Sequence, residues 1–235
     1  METYLGPLYT FISYFWDFNT KNKSKTKDLW FFDFETTGLN PYHDKIIEYC
    51  FILEEGEDYD LTKQNAENEL DEHYYINELV NPDTKFERKI SEITGILPED
   101  VDNKKTINYH IDIIDEFINN KEDNTDTYLV AHNCDAFDNL FLINNFKNNN
   151  NINYQDWKYI DTLPLAKKLL PNQRSFSLKS LSKYFNIQSG SHRALSDTVC
   201  LRNLYHKLME ILSKEINTSK QYLLDNPNIV YDYIY

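Results

Sequence analysis

The chain has 235 residues, 24 Lys+Arg against 38 Asp+Glu, a formal net charge of −14 and 41% hydrophobic residues, which suits one large domain, or one domain with appendages, around a substantial core. No apolar run reaches the roughly 18 residues needed to cross a bilayer, and Met1 to Phe18 lacks a basic start followed by an aliphatic block, so neither membrane association nor a signal peptide is expected. Cys50, Cys134 and Cys200 are too scattered and too few for a disulfide framework or a zinc site, which fits an intracellular, reducing compartment, cytoplasmic or nuclear.

In chain order, an aromatic leader (residues 1–27, with Tyr4, Tyr9, Phe11, Tyr14, Phe15, Trp16 and Phe18) ends in a basic spacer, Lys21 to Lys27. Strands are expected at Asp28 to Phe34, Lys45 to Leu53 and His73 to Val80, an order that suggests an antiparallel meander. The segment between the last two, Glu54 to Glu72, is strongly acidic, with Lys63 its single base. Ile107, Ile111, Ile114, Phe117 and Ile118 recur at helical spacing. A short strand at Tyr128 to Ala131 leads into a helix through Phe137, Leu140, Phe141 and Ile143, then an Asn-rich loop and a strand at Tyr159-Ile160. Helices follow at Leu163 to Leu170, at Ser177 to Phe185 and from Ala194, where Leu201, Leu204, Leu208, Ile211 and Leu212 form a stripe. This βββαβαβα order gives an α/β domain over residues 28–215 with a mixed five-stranded sheet flanked by helices. A tyrosine-rich tail, residues 216–235, is left to dock or fray.

Asp33 and Glu35 stand two apart at the carboxyl end of the first strand, so both side chains lie on one face. Carboxylates that close repel unless a cation lies between them, and hard oxygen ligands favour Mg²⁺ or Mn²⁺ over zinc. Two further acidic contexts recur downstream. In Ala131-His132-Asn133-Cys134-Asp135-Ala136-Phe137-Asp138 a strand runs into a polar turn and a helix, and in Ser191-His192-Arg193-Ala194-Leu195-Ser196-Asp197 a His and an Asp flank a helix start. Taken singly, these acids also read as helix caps or solvated strand ends.

Together the motifs resemble the DEDDh branch of the DnaQ-like 3′–5′ exonucleases: Asp33-x-Glu35-Thr-Thr-Gly-Leu39, Ala-His132-Asn-x-x-x-Phe137-Asp138 and His192-x-x-x-x-Asp197, in order along the chain. Ser91-Glu92-Ile93-Thr94-Gly95-Ile96 resembles the family's Ile-Thr-Gly turn. Three residues between Asn133 and Phe137, rather than two, resemble the TREX-type DNA exonucleases and leave Asp135 as a rival to Asp138. The resemblance implies a ribonuclease-H-like fold, two divalent ions (Mg²⁺ or Mn²⁺) held by Asp33, Glu35, Asp138 and Asp197, and His192 as the general base. It also implies a 3′-end pocket lined by Phe34, Thr36, Leu39, Ile93, His132 and Phe137.

The expected activity is therefore release of nucleoside 5′-monophosphates from single-stranded or frayed 3′ ends of DNA, in repair, proofreading or degradation. RNA trimming uses the same catalytic set, and a binding or scaffold module recruited through the leader or tail is a third reading. A nucleic-acid partner must contend with the negative net charge, but residues 147–215 are locally basic, and Arg174 and Lys179 there are candidates to track phosphates. A protein partner or a second copy is expected, if anywhere, at the leader or tail. The abundance of Asn, Ile, Lys and Tyr is that of an AT-rich genome, as in some large DNA viruses.

Overall fold

The computed structural model describes residues 28–54, 75–119, 126–147 and 157–235. The aromatic leader, nearly all of the acidic segment and the Asn-rich loop lie outside the described residues.

Five strands, β1 (Asp28–Thr36), β2 (Ile46–Glu54), β3 (Tyr75–Leu79), β4 (Thr127–Ala131) and β5 (Lys158–Asp161), form one sheet in the order β3-β2-β1-β4-β5. β1 to β3 pair antiparallel, as the meander expected from sequence requires, while β4 and β5 join in parallel through helical crossovers. β1 is therefore central, and its Leu29, Trp30, Phe31 and Phe32 are all buried because both faces are covered. Strand alternation sorts them. Trp30, Phe32 and Phe34 face α3 (Ile107–Asn119), with Trp30 packed edge-on against Phe117 and Phe34 against Phe51. Phe31, Asp33 and Glu35 face the other way, where Phe31 meets Tyr205 of α7 (Ala194–Glu215).

Two short helices precede α3, α1 (Arg88–Thr94) and α2 (Pro98–Val101). α4 (Asp138–Phe146) follows β4 by way of a 3-10 turn at Cys134–Ala136, and α5 (Thr162–Leu169) and α6 (Leu178–Phe185) lie between β5 and α7. α7 is laid along β2 by a carboxylate near each end of the strand. Glu48 grips Arg193 at 2.7 Å, while Glu54 holds His206 at 3.0 Å and Arg202 at 3.9 Å. Six strand residues rise about 20 Å, and the helical path from Arg193 to His206 rises about as far, so the anchors match in span.

Residues 216–235 are not a separate tail. They form α8 (Lys220–Asp225) and α9 (Pro227–Ile234), whose Leu223, Val230 and Ile234 join the main core. Ser219 caps α8 by accepting the Tyr222 amide, Pro227 starts α9, and Lys168 donates to the carbonyls of Tyr233 and Ile234. The buried aliphatic positions supply a driving force that the run of tyrosines hides in the sequence.

Candidate active site

The site forms where β1 outruns its parallel neighbour. β4 pairs with β1 only as far as Phe31, so the end of β1, still paired with β2 as far as Thr36, runs on past β4. Into that gap comes the start of α4. The Asp138 carboxylate accepts the amides of Phe34 and of Asp138 itself, yet its Oδ1 is buried with no hydrogen-bond partner among the described residues. Asp197 arrives from the first turn of α7, and a donor atom of each of Glu35, His192 and Asp197 lies within 4.8 Å of the others.

Electrostatics show that these acids share one space. Burial, then the charges of Asp138, Asp197, Glu35 and Glu48, push the Asp33 carboxyl well above its usual range. Burial, with Asp197, Glu48 and Asp138, raises Glu35 to about 8, although Arg193 opposes the shift. Asp138 is raised to about 7, by burial first, against the two amides. Asp197 is raised by burial and eased by His192, the His192 and Ser191 amides and the Ser196 hydroxyl. Like charges held together with an orphaned carboxylate oxygen are only partly compensated by Arg193, His192 and the nearby amides, so the donor set fits hard divalent cations. Asp33, Glu35, Asp138 and Asp197 would hold them.

Local backbone explains why these side chains converge. His192 has φ 59°, a left-handed conformation that turns the chain back over Asp197. Gly190 in the same loop approaches so closely that a Cβ would lie 1.6 Å from Asp197 Oδ1. α7 has no side-chain cap of its own. Glu48 of β2 takes that role from a distance by accepting the Ala194 amide at 3.0 Å. Asn133, with φ 64°, starts the 3-10 turn that carries the chain from β4 to Asp138.

The turn also separates the two rival aspartates. Asp135 is exposed and accepts the Tyr235 hydroxyl at 2.8 Å, whereas Asp138 is buried against β1. Cys134, Asp135 and Asp161 make a second cluster, but Asp161 is spent on the amides of Asn133, Asp135 and Leu163 and serves as the N-cap of α5.

The expected pocket residues divide. Leu39 is 82% exposed and Ile93 43% exposed, so both present apolar side chains to solvent. Phe137 is half-buried against Phe141, and Arg174 is exposed on the loop before α6. Phe34 is a correction. Its ring is in the core on the opposite face, as strand alternation demands, and only its backbone amide reaches the site. Thr36 is buried, with its hydroxyl donated to the Gly38 carbonyl at 2.6 Å. His132 has both ring nitrogens engaged, at 2.8 Å from Thr162 Oγ1 and 2.8 Å from the Phe176 carbonyl, leaving its ring face alone for a ligand. Burial lowers its pKa, which favours the neutral ring. With Nε2–H donating to the carbonyl, Nδ1 shares the Thr162 hydroxyl proton with the Ala131 carbonyl, 3.2 Å from Thr162 Oγ1.

Glu48 and Arg193 were missed in the sequence. The signal available was an acidic residue inside the apolar strand Ile46-Ile47-Glu48-Tyr49-Cys50. The three thiols also surround the site. Cys50 is opposite Asp33 in the β1-β2 register, Cys134 begins the 3-10 turn, and Cys200 lies three residues past Asp197. All three are buried, which raises their pKa values.

Residues 30–205 match the exonuclease family RNase_T. The DNA polymerase III PolC-type of Thermotoga maritima is 35% identical over 185 residues, which are 77% of this chain and 12% of that protein, so this chain spans only a small part of that relative. Exonuclease X, solved in complex with 5′ overhanging duplex DNA, has a TM-score of 0.54 at 21% identity over 77% of this chain and 91% of its own. A zinc-bound complex of E. coli exonuclease I with single-stranded DNA has a TM-score of 0.61 at 20% identity over 88% of this chain and 42% of its own. At such identities the structural likeness is one of fold, the ribonuclease-H-like mixed sheet with helices on both faces.

Proposed function

Because this chain belongs to the exonuclease family RNase_T, we propose that it removes nucleoside 5′-monophosphates from the 3′ end of DNA, with two divalent cations, Mg²⁺ or Mn²⁺, and His192 as general base. The observation that carries this reading is the convergence of Asp33, Glu35, Asp138 and Asp197 in one partly buried space, where burial raises all four carboxyls and the charges of Asp138 and Asp197 further raise Asp33 and Glu35. Asp33, Glu35, Asp138 and Asp197 would hold and partly neutralise the two cations, which when bound would supply charge stabilisation at the phosphate and a more acidic water.

His192 is exposed at the rim, beside Glu35 and Asp197. From there its imidazole takes the proton of the attacking water. Leu39 and Ile93, both apolar and exposed, meet the terminal bases by apolar contact, which tolerates any sequence. Arg174 and Lys179 track phosphates further from the end. DNA is favoured as the strand because the sequence relative is a DNA polymerase and the structural neighbours were solved with DNA.

One gel tests the proposal, with 5′-labelled DNA and RNA of the same sequence incubated with Mg²⁺, Mn²⁺ or chelator. Laddering from the 3′ end of DNA, abolished by chelator and slowed about 10²- to 10⁴-fold by His192→Ala, is expected. Absence of cleavage under either ion would remove the enzymatic reading, faster cleavage of RNA would replace the substrate, and wild-type turnover by His192→Ala would remove the base.

A further inference from the structure

Glu48 is a fifth carboxylate on the active-site face, directly opposite Glu35 in the β1-β2 register. It is 1% exposed, and unlike Asp138 it has no oxygen to spare. Oε1 accepts Arg193 Nη2 at 2.7 Å, while Oε2 accepts Arg193 Nε and the Ala194 amide, each at 3.0 Å. It is thus the fully committed member of the group and is unavailable as a ligand. Its partners are the two residues that follow His192.

We infer that the Glu48–Arg193 fork is the positioning device for His192, fixing the base over the site from the neighbouring strand. Three features support this role. The loop before α7 is exposed from Ser191 to Arg193, and His192 has a left-handed φ of 59°; Ser191 ties the start of the loop to Ser196 Oγ at 2.9 Å, and the Glu48–Arg193 fork ties its other end. A bidentate guanidinium-carboxylate pair fixes both distance and plane, whereas a single contact would fix distance alone. The same carboxylate caps α7, whose first turn carries Asp197, so His192 and Asp197 are referred to one point on β2. Since Glu35 stands opposite that point, three site residues share a common origin.

This inference rests on His192 being the base, and the test separates the two. Single-turnover cleavage, with enzyme in excess over a labelled 3′ end, is measured for Arg193→Gln, Arg193→Lys and the pair Glu48→Gln/Arg193→Gln, each alone and combined with His192→Ala. Arg193→Gln is expected to lower the rate on the order of 10- to 100-fold, the size of a misplacement of about 1 Å. The KM for the oligonucleotide and the affinity for Mn²⁺ should stay within about threefold. Lysine should rescue only in part, because it cannot form the fork. In the His192→Ala background the Arg193 substitution should change the rate less than about threefold, since there is no base left to position.

A readout independent of turnover is the imidazole cross-peak of His192 in a ¹H–¹³C correlation spectrum, assigned by its loss in His192→Ala. It should be sharp in the unaltered protein and broadened or split in Arg193→Gln. The double Glu48→Gln/Arg193→Gln variant guards against misfolding caused by an unpaired buried charge, and should match Arg193→Gln in rate. If Arg193→Gln slowed the enzyme equally with and without His192, or left the rate and cross-peak unchanged, the positioning role would be refuted while the base stood. Wild-type turnover by His192→Ala would remove both.

Discussion

Replacing Gly190 by alanine adds one methyl group at the point where the loop wraps Asp197. The new Cβ would lie 1.6 Å from Asp197 Oδ1, 2.6 Å from its Cγ and 3.1 Å from its Cα, whereas real Cβ contacts essentially never fall under 3.0 Å. The carboxylate or the loop must therefore move by about 1.4 Å, the difference between 3.0 and 1.6. Misplacement of a catalytic group by about 1 Å costs on the order of 100-fold in rate. The Ser191 amide donates to Ser196 Oγ at 2.9 Å, and that hydroxyl lies 3.5 Å from Asp197 Oδ1, so movement on either side disturbs the contacts around the carboxylate. The loop is partly exposed and can yield, which limits the stability cost to about 1–3 kcal/mol, or a few degrees in Tm. The assay is Mn²⁺ titration by calorimetry alongside single-turnover cleavage of a 5′-labelled strand. Gly190→Ala should weaken metal binding at least tenfold and slow cleavage about 100-fold, with Tm lowered by about 2–12 °C. Metal affinity and rate both within threefold of the unaltered protein would refute the reasoning that this approach sets the position of Asp197.

Without metal, stability should fall as pH rises. The raised carboxyls bind protons in the folded state that the unfolded chain has already released, so ΔG declines from about pH 4 through about 7, where Asp138 ionises, and about 8, where Glu35 does. Thermal melts in chelator should show that decline, and Mn²⁺ should reverse it; a flat profile would contradict the clustering. For the same reason Asp138→Asn should raise the chelator Tm at pH 8 by several degrees while abolishing cleavage, and a lower Tm would mean that the charge is compensated in the fold. Tyr235→Phe removes the hydroxyl bonded to Asp135 and should cost about 0.5–1.5 kcal/mol in denaturant melts with cleavage within threefold; a large loss of rate would give α9 a part in catalysis. Charge reversal at Arg174 and Lys179 should weaken oligonucleotide binding and reduce its salt slope by about one per lost phosphate contact, measured by fluorescence anisotropy. An unchanged slope would take both residues off the binding face.

The sheet was legible because its strands are short apolar runs bounded by polar turns, and β1 to β5 fall within a residue or two of where the alternation placed them wherever the structure describes them. The tail was not, because Leu223, Val230 and Ile234 find their apolar partners only in tertiary contact. Between Asp135 and Asp138 the resemblance favoured Asp138, which follows the aromatic Phe137, but spacing alone does not reveal that the 3-10 turn leaves Asp135 exposed while Asp138 is buried. Phe34 was a failure of a different kind, because the period-two rule that put Asp33 and Glu35 together already excluded its side chain from their face. Glu48 carried a readable sign, a charge within an apolar strand, but its partners Arg193 and Ala194 are about 145 residues away in sequence.

The buried thiols of Cys50, Cys134 and Cys200 offer a way to watch this site breathe. They lie on three different elements, β2, the 3-10 turn and α7, and alkylation requires each to reach solvent as thiolate. Labelling of each thiol therefore clocks the opening of its own wall, residue by residue under mass spectrometry. Divalent ions that tie β1, α4 and α7 together should retard all three labels in concert, so that a static arrangement of acids becomes a measurable frequency of opening.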